Sequence, residues 1–313
     1  MNGLRSAIGF LTILPLAPRD APSSMSSARG WFPFVGLLLG IILAAVESLT
    51  VLLLGGNWGW ASLESMESAV FYSEPSPMVM LWAVMTVVLL AALTRALHLD
   101  GFMDSCDALF GGFDRERRLA ILRDPHVGAF AVIGVVCLLM AKAAAIAALP
   151  QVGPIPPVSL DRPDKLPMLL LFPCLSRWAM LLTMELYPYA RRNGLGTAFF
   201  HESKDASGSD SGANSDGKRR IRWHLILGFV FTLVVSVALA GVTGLMMLAA
   251  ACAVAWGVGA WATRLLGGVT GDIYGAVNEI AEVAVLLLAL ILIAAAPISI
   301  YSPLFELLWS VLP

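Results

Sequence analysis

Seven stretches of this chain stay apolar for about 20 residues each, the length an α-helix needs to cross the ~30 Å hydrocarbon layer of a bilayer. They are Phe32–Leu54, Met78–Leu97, Ala129–Leu149, Pro167–Tyr187, His224–Ala240, Leu245–Thr263 and Glu282–Ile300. A backbone in lipid finds no water to bond, so such stretches have to satisfy their N–H and C=O groups internally, as helices do. The reading is an all-α, polytopic integral membrane bundle of about seven transmembrane helices, a single domain over residues 1–313. Composition agrees: 58% of residues are apolar and only 13% charged, where a soluble domain carries about 25% charge. Mean hydropathy is +0.80.

Between and around the spans the pattern changes. Leu4 to Leu16 is amphipathic, broken at Pro15, and reads as a helix lying in the inner membrane interface. Pro303–Leu312 is apolar but too short to span, and is expected at the interface. The fifth and sixth spans are separated only by Gly241 to Gly244. Residues 201–217, HESKDASGSDSGANSDG, hold no hydrophobic residue larger than Ala and read as a disordered cytoplasmic linker.

Orientation follows from Lys and Arg, which favour cytoplasmic loops. With the N-terminus inside and seven spans, Arg162 and Lys165 are the only basic loop residues left outside, while Arg95, Lys142 and Arg177 lie within spans. The cysteines, Cys106, Cys137, Cys174 and Cys252, show no CxxC or Cys/His pairing, so neither a disulfide framework nor a zinc site is indicated. No GxxxxGK[ST] phosphate loop is present, which argues against an ATP-driven pump.

The chemistry collects in two acidic stretches on the cytoplasmic side. His98 to Asp124, HLDGFMDSCDALFGGFDRERRLAILRD, follows the second span. Asp100, Asp104 and Asp107 stand at i, i+4 and i+7, one face of a helix, where carboxylates suit Mg²⁺. His98 lies off that stripe and reads equally as an interfacial residue, and Asp124 is a candidate for a further ligand or a phosphate network. The second stretch, Gly268 to Glu282, GVTGDIYGAVNEIAE, sets Asp272, Glu279 and Glu282 at helical spacing behind a glycine-rich approach. Two facing acidic motifs suit a metal–diphosphate site. Arg177, Arg191 and Arg192 are the candidate anion clamp, with a salt bridge for Arg177 and membrane anchoring for the other two as the alternative.

These blocks resemble the cobalamin synthase family, the adenosylcobinamide-GDP ribazoletransferases. The resemblance rests on FLTILP, WFPFVGLLLG, HLDGFMDSCDALFGG, DPHVGAF, SRWAM with YPYARRNGLG, and GGVTGDIYGAVNEIAE, in the family's order and over nearly the whole chain. One departure is Ile13, where the family usually has a basic residue; another is the 201–217 linker, an insertion in a variable loop. The resemblance implies the last assembly step of the cobalamin nucleotide loop. A ribose hydroxyl of α-ribazole, or of its 5′-phosphate, attacks adenosylcobinamide-GDP and GMP leaves. It implies Mg²⁺ held by Asp100, Asp104 and Asp107, completed by Asp272 and Glu282, with His98 or one of the three aspartates as proton acceptor. It also implies the bacterial inner membrane, cytoplasmic substrates rather than nucleic acid, and room for a homo-oligomer or other corrinoid-pathway enzymes as partners.

Two enzyme rivals share the chemistry. A CDP-alcohol phosphotransferase carries an AR in its acidic motif, where this chain has Phe102, Met103, Asp104 and Ser105. A prenyltransferase fits the Asp-rich pattern but not the sequence blocks. The rival of another class, a secondary transporter, predicts internal repeats and polar residues at the bilayer midplane.

Overall fold

The computed structural model describes residues 2–16, 28–54, 77–150, 165–190 and 214–295. Among these the chain is helical, with one isolated β-bridge between Tyr189 and Val269. The helices are α1 (Asn2–Leu11), α2 (Phe32–Leu54), α3 (Pro77–Leu93), α4 (Leu97–Gly111), α5 (Arg115–Ile121), α6 (Ala129–Ala148), α7 (Lys165–Leu186), α8 (Asn214–Leu266) and α9 (Gly271–Ala295).

Helix α7 is the central post. Its sequence is apolar nearly all round, the pattern of a helix surrounded on every side, and the unbroken run from Leu171 to Leu181 is buried. Helix α2 lies directly on it through Gly36 and Gly40. A Cβ added at Gly40 would meet the Cα of Leu170 at 2.7 Å, and one at Gly36 would strike the backbone of Pro173 and Cys174. Small residues one turn apart allow this backbone contact, the usual basis of helix association in lipid. The ammonium of Lys165 closes the far end of the pair on Glu47, at 2.6 Å.

Among the described residues five helices are long and apolar enough to cross a membrane, six if the bent pair α3–α4 forms one span. The difference from the seven expected spans lies in the fifth and sixth, which run together as α8 with a break at Ala240 and Gly241. Gly241 takes φ +52°, which a glycine adopts without strain. The chain reverses there. Trp178 of α7 packs at a tilt against Phe229 (5.5 Å between ring centroids) and donates its indole N–H to Cys252 Sγ (3.4 Å). Those two partners would stand about 35 Å apart on a straight helix. Helix α8 begins at Asn214, within the 201–217 stretch, the rest of which lies outside the described residues. The C-terminal helix expected at Pro303–Leu312 lies outside them as well.

The second expected span does not run straight to Leu97. Helix α3 ends at Leu93 and α4 leaves it at 94°. Arg95 and Ala96 sit at the corner in the left-handed region (φ +54° and +53°), a conformation that costs non-glycine residues about 1–2 kcal/mol each. The corner is held from outside. Arg95 is exposed and donates to the carbonyls of Gly9 (3.1 Å) and Phe10 (3.4 Å), and Ile13 N–H bonds Leu93 O at 2.7 Å. Arg95 therefore closes the end of the amphipathic α1 and is not a charge buried within a span.

Candidate active site

Because of the corner, α4 passes over the starts of two other helices. Its Asp107 is buried and accepts hydrogen bonds from the N–H groups of Gly128 (2.6 Å) and Ala131 (2.9 Å), the opening turn of α6. Gly128 itself offers no side-chain cap, so a residue 21 positions earlier supplies one. The first four N–H groups of a helix lack partners and carry the positive end of its dipole, which suits a carboxylate. Gly128 leaves room for it, since a Cβ there would sit 2.5 Å from Asp107 Oδ1.

Farther back on α4, Gly101 meets the start of α9. A Cβ at Gly101 would lie 2.9 Å from the carbonyl oxygen of Asp272, and one at Gly275 would lie 2.8 Å from that of His98. The two helices cross backbone to backbone at this pair of glycines. The crossing brings Asp272, in the first turn of α9, beside the residue flanked by Asp100 and followed one turn later by Asp104. Asp100 is exposed, Asp104 and Asp272 half-buried. Thr270 sets the turn: its hydroxyl donates to Asp272 Oδ2 (3.1 Å) and accepts from Ile273 N–H (3.4 Å).

The chain after α7 is stitched to the same place. Val269 N–H bonds Pro188 O (2.9 Å), Ala190 N–H bonds Val269 O (2.8 Å), and the ring of Tyr189 stacks on Tyr274. Arg191 and Arg192 follow immediately in sequence and lie outside the described residues. On the other side, Arg115 of α5 donates to Leu266 O at 2.8 Å, closing the end of α8 next to the glycines that lead into α9.

The remaining candidates sit elsewhere. Glu282 is fully enclosed: Arg177 Nη1 binds its Oε1, Lys142 Nζ its Oε2 at 2.6 Å, and Asn278 Nδ2 approaches Oε1 at 3.2 Å. Lys142 also binds Glu279 Oε2, at 2.5 Å. Glu282 stands ten residues beyond Asp272, about 15 Å along the helix axis, so it does not share the turn occupied by Asp272. Arg177 is thus an ion-pair partner within the bundle. Its Nε and both ring nitrogens of the buried His98 have no hydrogen-bond partner among the described residues. Asp124 is exposed in the loop before α6, where it accepts from His126 N–H (3.1 Å) and pairs with its ring (Nδ1 at 2.5 Å). These bonds hold the Asp124 carboxyl below its ordinary range.

From the sequence Lys142 has no assigned role, and Glu279 only a place on the second acidic stripe. Their signal was one cation and two carboxylates in different apolar spans, which lipid tolerates only when they meet. Among the described residues no three His, Cys, Asp or Glu side chains converge on a common point, although Asp100, Asp104 and Asp272 lie near one crossing. That donor set still fits Mg²⁺, which is commonly held by one or two carboxylates together with water and substrate phosphates.

Comparison with known proteins accounts for most of the chain. Residues 3–290 match the family model for cobalamin-5-phosphate synthase. An adenosylcobinamide-GDP ribazoletransferase of Chlorobium phaeobacteroides is 33% identical over 290 residues, 91% of this chain and 96% of the relative. The protein of that name from Synechococcus is 34% identical over 280 residues (89% and 92%), and that from Pseudomonas paraeruginosa 33% over 289 (91% and 96%). No solved structure matches at a significant level. With both acidic stretches and the described helices inside the matched range, apart from the first residue of α1 and the last five of α9, the chain belongs to the cobalamin-5-phosphate synthase family.

Proposed function

We propose that this membrane protein joins the two halves of a cobamide nucleotide loop. The ribose 3′-hydroxyl of α-ribazole, or of its 5′-phosphate, attacks the cobinamide-side phosphorus of adenosylcobinamide-GDP. A new P–O bond forms, the diphosphate bond breaks, GMP departs, and the corrinoid is left on a phosphodiester. The observation that carries this reading is the match to ribazoletransferases along about nine-tenths of the chain at 33–34% identity. The crossing of α4 and α9 supports it from the residues, because it sets Asp100 and Asp104 beside Asp272.

One or two carboxylates drawn from Asp100, Asp104 and Asp272, with water and substrate phosphates completing the shell, would hold Mg²⁺, which when bound neutralises phosphate charge and orients the leaving group. Asp107 is spent on α6 and Glu282 on the interior ion pairs, so neither is counted in that set. For the hydroxyl proton, exposure favours a carboxylate of α4 over His98: Asp100 is open to a substrate, whereas His98 is 2% exposed. Arg191 and Arg192 remain the phosphate-binding pair, supported by the anchoring of Ala190 on Val269 next to α9. The family membership supports a bacterial inner membrane, and the distribution of Lys and Arg supports this face being in the cytoplasm.

The test uses purified protein in liposomes with adenosylcobinamide-GDP and α-ribazole 5′-phosphate. GMP release matched by new corrinoid, present with Mg²⁺ and lost with EDTA, is expected. Release that persists in EDTA would refute the metal, and none from folded protein would refute the transfer.

A further inference from the structure

We infer that Lys142, Glu279, Glu282 and Arg177 form a charge-balanced lock that sets the register of α9 against α4 and so holds Asp272 opposite Asp100 and Asp104. The four side chains are at most 6% exposed. Two positive and two negative charges meet there from α6, α7 and α9, and each carboxylate has a cationic donor. A metal ion would have to displace an ammonium or a guanidinium, and an anion would face two carboxylates. The cluster is closed to ligands of either sign, which leaves positioning as its work.

The order of residues along α9 gives that work its direction. Asp272 comes first, then Gly275 at the crossing with α4, then Glu279 and Glu282 in the lock. Sliding α9 by one turn, about 5.4 Å, would bring Asn278 or Glu279 to the crossing, where a Cβ would strike the His98 carbonyl. The same slide would pull the carboxylates off Lys142. Helix α6 closes the loop, since its first turn is tied to α4 through Asp107 and its interior to α9 through Lys142. The three helices thus form a closed circuit, and a charge lost from the lock is felt at Asp272.

Removing one partner leaves an uncompensated charge in the bundle, whereas removing one charge of each sign leaves Arg177 and Glu282 paired. The experiment compares full-length Lys142→Met, Glu279→Gln and the double variant in detergent. It reads the thermal midpoint, kcat, KM for adenosylcobinamide-GDP and the Mg²⁺ concentration for half-maximal GMP release. Each single variant is expected to lower the midpoint and raise the Mg²⁺ requirement about tenfold. The double variant should return both, with activity within about threefold of the parent. A double variant no better than the worse single one overturns the lock. So does Glu279→Gln abolishing turnover with an unchanged midpoint, which would move Glu279 into the reaction. The kinetic half rests on the proposed transfer; if the parent releases no GMP, that reading fails, and thermal rescue by the second substitution still decides the lock.

Discussion

Asp107 offers the sharpest separation between a residue that serves metal and one that serves the fold. Its carboxylate takes two N–H groups at 2.6 and 2.9 Å from the first turn of α6, and the residue is buried. Hydrogen bonds to a charged group contribute about 1.5–3 kcal/mol each, and loss of a helix cap costs about 0.5–2 kcal/mol. These overlap, since the two bonds are the cap, so Asp107→Ala should destabilise the protein by about 2–4 kcal/mol. Asp107→Asn keeps a carbonyl for one N–H but loses the charge at the helix start, and should cost about 1–2 kcal/mol. Reversible unfolding in mixed micelles measures both, and hydrogen exchange at Gly128 and Ala131 should accelerate in the Ala variant. The Mg²⁺ requirement should rise only in step with the loss of stability, because Asp107 acts through α6 and not on the metal. An Ala variant as stable as the parent, inactive and demanding more Mg²⁺, would refute the cap and return Asp107 to the metal.

The other carboxylates should behave in the opposite way. Asp104→Ala is expected to abolish GMP release with a stability change within about 0.5 kcal/mol, as for a half-buried helix surface; retained turnover at saturating Mg²⁺ would count against its ligand role. Gly275→Leu forces a side chain against the His98 carbonyl and should cost about 1–3 kcal/mol, separating α4 from α9 and removing activity as well; a fully active variant would mean that the crossing is looser than 2.8 Å implies. Arg95→Ala should weaken the hold of α1 on the α3–α4 corner by about 1 kcal/mol, seen as faster proteolysis of the N-terminal segment, and unchanged cleavage would refute that tie.

Several outcomes trace to what a linear pattern can carry. Hydropathy is a sum over neighbours in sequence, and lipid leaves a long apolar run little option but a helix, so α2, α6 and α7 lie within a few residues of their expected spans. The spacing of Asp100, Asp104 and Asp107 likewise placed all three on one helix, and the family could be read from six motifs in order. The duty of each carboxylate could not. Asp107 faces a helix start 21 residues away, and Glu282 faces Arg177 from 105 residues away. Side chains of one type on one helix therefore diverged, Asp104 half-buried and Asp107 drawn into a cap, because distant backbone supplied the partner of the second. The 94° corner before α4 was hidden for the same reason. A left-handed Arg95 gives no linear signal and packing against α1 decides it, whereas the reversal inside α8 was legible as the break at Gly241 to Gly244 between two apolar runs. Sequence determined the solvent, the helices and the chemistry available; the tertiary structure alone decided which charges neutralise one another and which stay open to a substrate.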